Sequence, residues 1–225
     1  TVRAYGTKGE AAVCKGQAEQ GKRQSQEGLA MTKSITRSRE FGSGGRELGR
    51  RLADRLGIPF YDKELIRMAA DDIDIEEHIF EMYDDAFMEK KEVEYTPFSS
   101  IYEVPMSDQT FMAQSRVIRR LAQHGPCVIV GRCADMVLKD EQCLNLFIYA
   151  SFKKRVQRLM TRENLPETEL RQMERRVRDI DRKRRDYYQS YTGNEWGTPQ
   201  PYQLCLDRHK AGIDACIDRA YAERP

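Results

Sequence analysis

From Lys33 onward, short apolar runs alternate with stretches of helical periodicity, and this alternation narrows the fold more than any other feature. Residues 33–38 read as a first strand, although Arg37 stands where an apolar residue is expected. Leu48, Leu52 and Leu56 then recur at helical spacing, and Gly57 closes that helix. The run IPFY (residues 58–61) is a second strand, with a helix from Asp62 onward. The acidic stretch 71–94 reads as exposed helix and 95–106 as a loop, and a helix capped by Ser107 or Asp108 runs to His124. Then come CVIV (127–130), LNLFIYA (144–150), a long charged helical stretch to about Tyr191, YQLCL (202–206), and a last helix carrying Ile213, Ile217 and Tyr221. Strands separated by helices predict an α/β protein, a parallel sheet covered on both faces. In such sheets ligands bind beyond the carboxyl ends of the strands, so chemistry is expected just after each one.

Charge is sorted along the chain although the totals nearly cancel, with Lys+Arg 38 and Asp+Glu 36. Between residues 71 and 94 eleven acidic residues face only Lys90 and Lys91, whereas residues 151–186 carry thirteen basic and seven acidic ones. The basic segment is the place to look for phosphates, with a solvated, salt-bridged helix as the alternative. Near-neutral net charge argues against a nucleic-acid partner. No apolar run approaches the ~18 residues that a membrane span needs. Six cysteines without a C-x-x-C pair, no metal-type histidine spacing and no secretion signal lead to the expectation of a reduced, cytoplasmic protein. Residues 1–31 hold almost no large apolar side chains and read as a disordered extension, leaving 32–225 as one domain.

The segment SREFGSGGRE, from Ser38 to Glu47, joins the first strand to the first helix. Gly42, Gly44 and Gly45 allow a tight turn and close backbone approach to a ligand, and the helix that follows offers free amides and a positive dipole end. The segment departs from the G-x-x-x-x-G-K-[ST] pattern. With Gly44 as the last motif glycine, Gly45 takes the lysine position and Arg46 the hydroxyl position. Shifted by one, Arg46 takes the lysine position and Glu47 the hydroxyl. In either register the lysine is absent, and Ser43, Glu47 and water all remain open as magnesium ligands.

SREFGSGGRELG (38–49) resembles the opening motif of the cytidylate kinase-like family. So do IPFYDKELI (58–66), GPCVIVGRCAD (125–135), and the D-x-x-R followed by YYxxYTG (181–193), in family order. The resemblance covers residues 33–221. It implies a three-layer α/β/α P-loop NTPase fold with a five-stranded parallel sheet, a monophosphate-binding insertion at about 62–124 and a helical lid at about 160–195. It also implies ATP and Mg2+ as cosubstrates and CMP or dCMP as acceptor, so that small-molecule nucleotides are the partners. Carried over by motif, Gly42, Ser43, Gly44, Gly45, Arg46 and Glu47 bind the ATP phosphates. Asp62 opens the monophosphate-binding segment, and Arg132 grips the acceptor. The aspartate that follows that arginine in the family is Cys133 here, with Asp135 nearby, which bears on the choice of base. Asp181 and Arg184 match the lid motif, flanked by Arg182 and Arg185.

Phosphoryl transfer asks chiefly for positioning and charge neutralisation. Two-point guanidinium contacts suit that task, so Arg46, Arg132 and Arg184 are expected to converge on the transferred group. Gln114, Ser115, Arg116, Arg119 and Arg120 are further acceptor candidates, with a surface face as the alternative for the arginines. Tyr187, Tyr188 and Tyr191 either stack on a base or pack the lid helix onto the core. Trp196 is expected to anchor the loop before the last strand. The competing function is a nucleotide-binding regulatory protein with weak or lost transfer, or a kinase for another small acceptor.

Overall fold

The computed structural model describes residues 33–74, 76 and 106–224. The expected extension at 1–31 and almost all of the acidic stretch and loop at 77–105 lie outside the described residues. Five strands form one sheet in the order β2-β3-β1-β4-β5: β1 (Ile35–Arg39), β2 (Phe60–Tyr61), β3 (Val128–Val130), β4 (Leu144–Tyr149) and β5 (Leu204–Asp207). Every ladder is parallel, and β1 is central, with Ile35 in register with Val128 on one side and Leu144 on the other. The strands sit within two residues of where the apolar runs place them.

Helices cover both faces. On one, α1 (Gly45–Leu56) and the last helix, α8 (Ile213–Ala222), bury Leu48, Leu52 and Ile217 against Ile35, Leu146, Ile148 and Leu206. On the other, α2 (Glu64–Asp72), α3 (Met106–His124) and the short α4 (Ala134–Val137) pack Leu65, Val117, Ile118 and Leu138 on Ile129. Fully burying a leucine of this kind contributes about 1.5–3 kcal/mol, so the helical leucine spacing is what holds α1 down. Arg116 and Arg120 of α3 pair with Asp72 at 2.8 and 3.2 Å, a surface brace between α3 and α2.

The charged stretch after β4 is two helices rather than one. α5 (Phe152–Glu163) ends at Asn164, whose φ is 51°, and Pro166 precedes a 3-10 turn (Glu167–Glu169) before α6 (Leu170–Thr192) begins. Pro166 cannot donate to a helical ladder, and the residue before a proline avoids the helical region, so the chain folds back there. α5 and α6 share a small core of Val156, Leu159, Met173 and Val177. After β5, α7 (Arg208–Ala211) is a single turn capped by the Asp207 side chain. No helix among the described residues is long and apolar enough to cross a membrane.

Gly42 shows how tightly the loop after β1 is enclosed. Its φ is 78°, and a Cβ there meets Leu159 Cδ1 at 2.8 Å and the Arg155 carbonyl oxygen at 3.0 Å. A left-handed backbone and a clash with main chain together predict that Gly42→Ala costs about 2–3 kcal/mol. The shift of the urea midpoint against wild type measures it; a midpoint unchanged within error would mean that the loop yields freely.

Candidate active site

The carboxyl ends of β1 and β3 open onto one cavity. Arg39 from β1, Asp62 and Lys63 from the β2–α2 turn, Arg132 and Cys133 after β3, and Arg184, Tyr187 and Tyr188 of α6 line it, with Trp196 at the rim. Gly131, Arg132 and Cys133 all have positive φ, at 72°, 57° and 54°. Two consecutive non-glycine residues in the left-handed region cost about 1–2 kcal/mol each. Backbone strain of this kind clusters at functional sites, and here it presents Arg132 at the end of the strand.

Four cations and one carboxylate therefore share this cavity. Asp62 bonds Arg46 Nε at 2.7 Å and lies 3.9 Å from Arg39. Arg184 donates to the Arg39 carbonyl at 3.0 Å, which ties α6 to the end of β1. Burial lowers the Arg184 guanidinium to about 10, with Asp62 and Asp181 opposing and Arg132 adding to the shift. Burial and the neighbouring Arg132 together make the Arg184 cation costly to hold in this cavity.

A second cavity lies at the other end of the glycine loop, lined by Gly42, Ser43, Lys154, Arg158, Arg162, Arg208 and His209. Arg158 pairs with Glu47 at 2.5 Å, and Arg208 approaches the same carboxylate at 3.6 Å. Ser43 is buried, and its hydroxyl donates to the Glu40 carbonyl at 2.8 Å. Gly44, in the left-handed region, and Gly45 lead into the first turn of α1.

Beneath the loop runs a buried ionic network. Arg155 Nη1 donates to Asp181 at 2.5 Å and to the Phe41 carbonyl at 2.9 Å, while its Nε donates to the Ala150 carbonyl at 3.0 Å and lies 3.2 Å from Glu40. The Phe41 N–H donates to the other Asp181 oxygen at 2.7 Å, and the Ala150 N–H to Glu40 at 3.0 Å. Burial pushes the Glu40 carboxyl up, and the Ala150 amide and Arg155 pull it back.

The structure thus brings Asp62, Arg132 and Arg184 together in one cavity and places Gly42 and Ser43 in the other. Asp181 is instead buried under the loop. Gln114 accepts from the Tyr187 hydroxyl at 3.2 Å, and Asp135 from the Tyr188 hydroxyl at 2.6 Å, both buried behind the tyrosines. Burial raises the Asp135 carboxyl above its ordinary range against that hydrogen bond. Arg182 and Arg185 are exposed, Arg182 pairing with Asp179 at 2.9 Å. Tyr191 stacks on Phe111 at 3.9 Å and Tyr187 meets it edge-on at 5.0 Å, so the tyrosine run packs α6 on α3 even as Tyr187 and Tyr188 face the cavity. Trp196 meets Phe147 of β4 edge-on at 5.3 Å, the anchoring role expected of it. Arg155, Arg158 and Arg208 carry no motif or spacing that marks them in the sequence, and Arg37 is marked there only as a charge inside the first strand.

A parallel sheet in the order β2-β3-β1-β4-β5, with a glycine loop leading from its central strand into a helix, defines a P-loop NTPase fold of the kinase-like type. The chain belongs to the cytidylate kinase-like family, whose profile matches residues 34–210. No curated protein matches the chain. Among solved structures it is similar to an uncharacterized protein from Eubacterium ventriosum ATCC 27560, at 26% identity and a TM-score of 0.61 over 84% of this chain and 96% of that one. It is also similar to shikimate kinase from Acinetobacter baumannii in complex with shikimate, at 15% identity and a TM-score of 0.49 over 88% of this chain and 94% of that one. A gluconokinase from Sinorhizobium meliloti 1021 aligns at 15% identity and a TM-score of 0.49, over 85% and 91% of the two chains.

Proposed function

We propose that the chain transfers the γ-phosphoryl group of ATP to a nucleoside monophosphate, with CMP or dCMP first among the acceptors. The observation that supports this reading is the pair of basic cavities at the two ends of one glycine loop. A donor polyphosphate on the loop and an acceptor phosphate among Arg39, Arg132 and Arg184 would face each other across it. The loop fits a polyphosphate: its backbone is left-handed at Gly42 and Gly44, and it leads into the free amides of α1. Magnesium in such sites is held mainly by phosphate oxygens and water and neutralises phosphate charge when bound. Near the loop, Ser43 and Glu47 would have to exchange their present partners, Glu40 and Arg158, to bind it.

In this reading Arg132 and Arg184 hold the acceptor phosphate and the transferred group by two-point contacts, and Asp62 orients Arg46 and Arg39. Tyr187, Tyr188 and Trp196 give the acceptor base an aromatic wall and exclude water that would compete as acceptor. With Cys133 after Arg132 and Asp135 engaged by Tyr188, cytosine is read without a free carboxylate at that corner. The test is ADP formation from Mg-ATP with CMP, dCMP, UMP, AMP and GMP offered separately. Turnover with a cytidine nucleotide at least ten-fold above the others is expected. Absence of turnover with every one of them, in protein that binds ATP, would sink the assignment.

A further inference from the structure

One buried charge is left unused by this scheme. Arg37 lies on the same face of β1 as Ile35, two residues on, at a position the strand pattern reserves for an apolar side chain. It is 1% exposed, and none of its three guanidinium nitrogens finds a hydrogen-bond partner among the described residues. An ionised side chain buried without a partner is among the costliest arrangements a core can hold. It points to a counter-charge that arrives with a ligand.

The place of that guanidinium in the loop is specific. The Cβ of any residue at 45 would come within 2.9 Å of Arg37 Nη1, and a Cβ at 49 within 3.1 Å of Arg37 Nε. Gly45 and Gly49, one turn apart on α1, therefore form a cradle for the Arg37 side chain under the first turn of the helix. Residue 45 is also where a lysine falls when Gly44 is taken as the last motif glycine. A lysine at 45 would have to displace the tip of Arg37, because the space at the root of the one is filled by the end of the other.

We propose that Arg37 is a positioning residue for the donor polyphosphate, a fixed positive charge set behind the loop in place of the lysine that the loop lacks. The proposal rests on the reading of the loop as the donor-phosphate site. Among the described residues the carboxylate that opposes the burial of Arg37 is Asp62, which is already bonded to Arg46, while Arg184 and Arg46 repel the Arg37 cation. In a site walled off from water a charge need not touch the phosphate to act on it. Burial lowers the Arg37 guanidinium to about 9, and Asp62 only partly restores it. The positive charge is therefore held in the folded protein at a cost that an arriving anion would relieve.

Titration calorimetry of ATP and of inorganic tripolyphosphate, without magnesium, on wild type, Arg37→Met and Arg37→Gln tests this. Arg37→Met keeps length and apolar packing, and Arg37→Gln serves if it fails to fold. The expected result is an affinity for both ligands at least ten-fold lower than wild type, with a thermal midpoint at pH 7.5 equal to or above that of wild type. Variants that bind tripolyphosphate within two-fold of wild type would overturn the role of Arg37 and leave the loop assignment standing. A wild type that binds neither ligand would overturn both. Lowered affinity with a matching fall in midpoint for both variants would also count against the proposal, because it would make Arg37 a support of the fold.

Discussion

Arg132→Ala is expected to lower kcat/KM for the monophosphate acceptor about a thousand-fold, equivalent to about 4 kcal/mol, with ATP affinity unchanged within about two-fold. Arg132 stands at the end of β3 on strained backbone, in a cavity whose other cations, Arg39, Arg184 and Lys63, are anchored on β1, α6 and the β2–α2 turn. Truncation leaves an acceptor phosphate desolvated and short of a two-point partner, the expensive case for a charged hydrogen bond. Arg132→Lys restores charge without the planar fork, so it is expected to recover no more than about ten-fold. Steady-state kinetics with separately varied ATP and acceptor resolve the two sides. A normal kcat/KM in Arg132→Ala would exclude this cavity as the acceptor site.

Asp181→Ala is expected to cost about 3 kcal/mol of stability, because breaking one partner of a buried pair strands the other charge. Arg155 would keep Glu40 and two carbonyls but lose its shortest contact, and the Phe41 N–H would lose its acceptor. For a chain of this size that corresponds to a fall of roughly 6–12 °C in thermal midpoint. Asp181→Asn retains the neutral acceptor for Phe41 and is expected to fall less. The double variant Asp181→Ala with Arg155→Met is expected to recover part of the loss, since it removes the stranded charge together with its partner. Additive losses in that cycle would show that the two residues act separately.

The two predictions also mark where sequence was informative. Arg132 is local: it follows an apolar strand within GRCAD, and the family resemblance of that block together with its place at a strand end marks it as a candidate. The strands, α1 and the glycine loop were legible for the same reason, since periods of two and 3.6 residues are written in near neighbours. Asp181 is different. Its motif was visible, but its partners are Phe41, 140 residues away, and Arg155, 26 residues away. Only the tertiary fold decides whether such a carboxylate faces a ligand or a buried arginine. Arg158 and Arg208 were hidden likewise, because Glu47 lies 111 residues before Arg158. Arg37 left a local trace, a charge inside a strand pattern, but its burial depends on Gly45 and Gly49, which read first as loop and helix residues. The break between α5 and α6 had a signal in Asn164 and Pro166 that the surrounding charge pattern masked.

The central place of β1 has a bearing on how the protein comes into being. Thr36 bonds Asn145, 109 residues further along, and the Glu40 N–H donates to Ile148. At a synthesis rate of roughly 5–20 residues per second, the ribosome needs roughly 5–20 s to travel from one to the other. Throughout that interval β1 and the glycine loop have been translated but β4, which flanks the strand and receives the Glu40 amide, has not. The nascent chain therefore carries its glycine loop as an unassembled strip, and the central strand cannot complete its pairing until the second half of the chain has emerged.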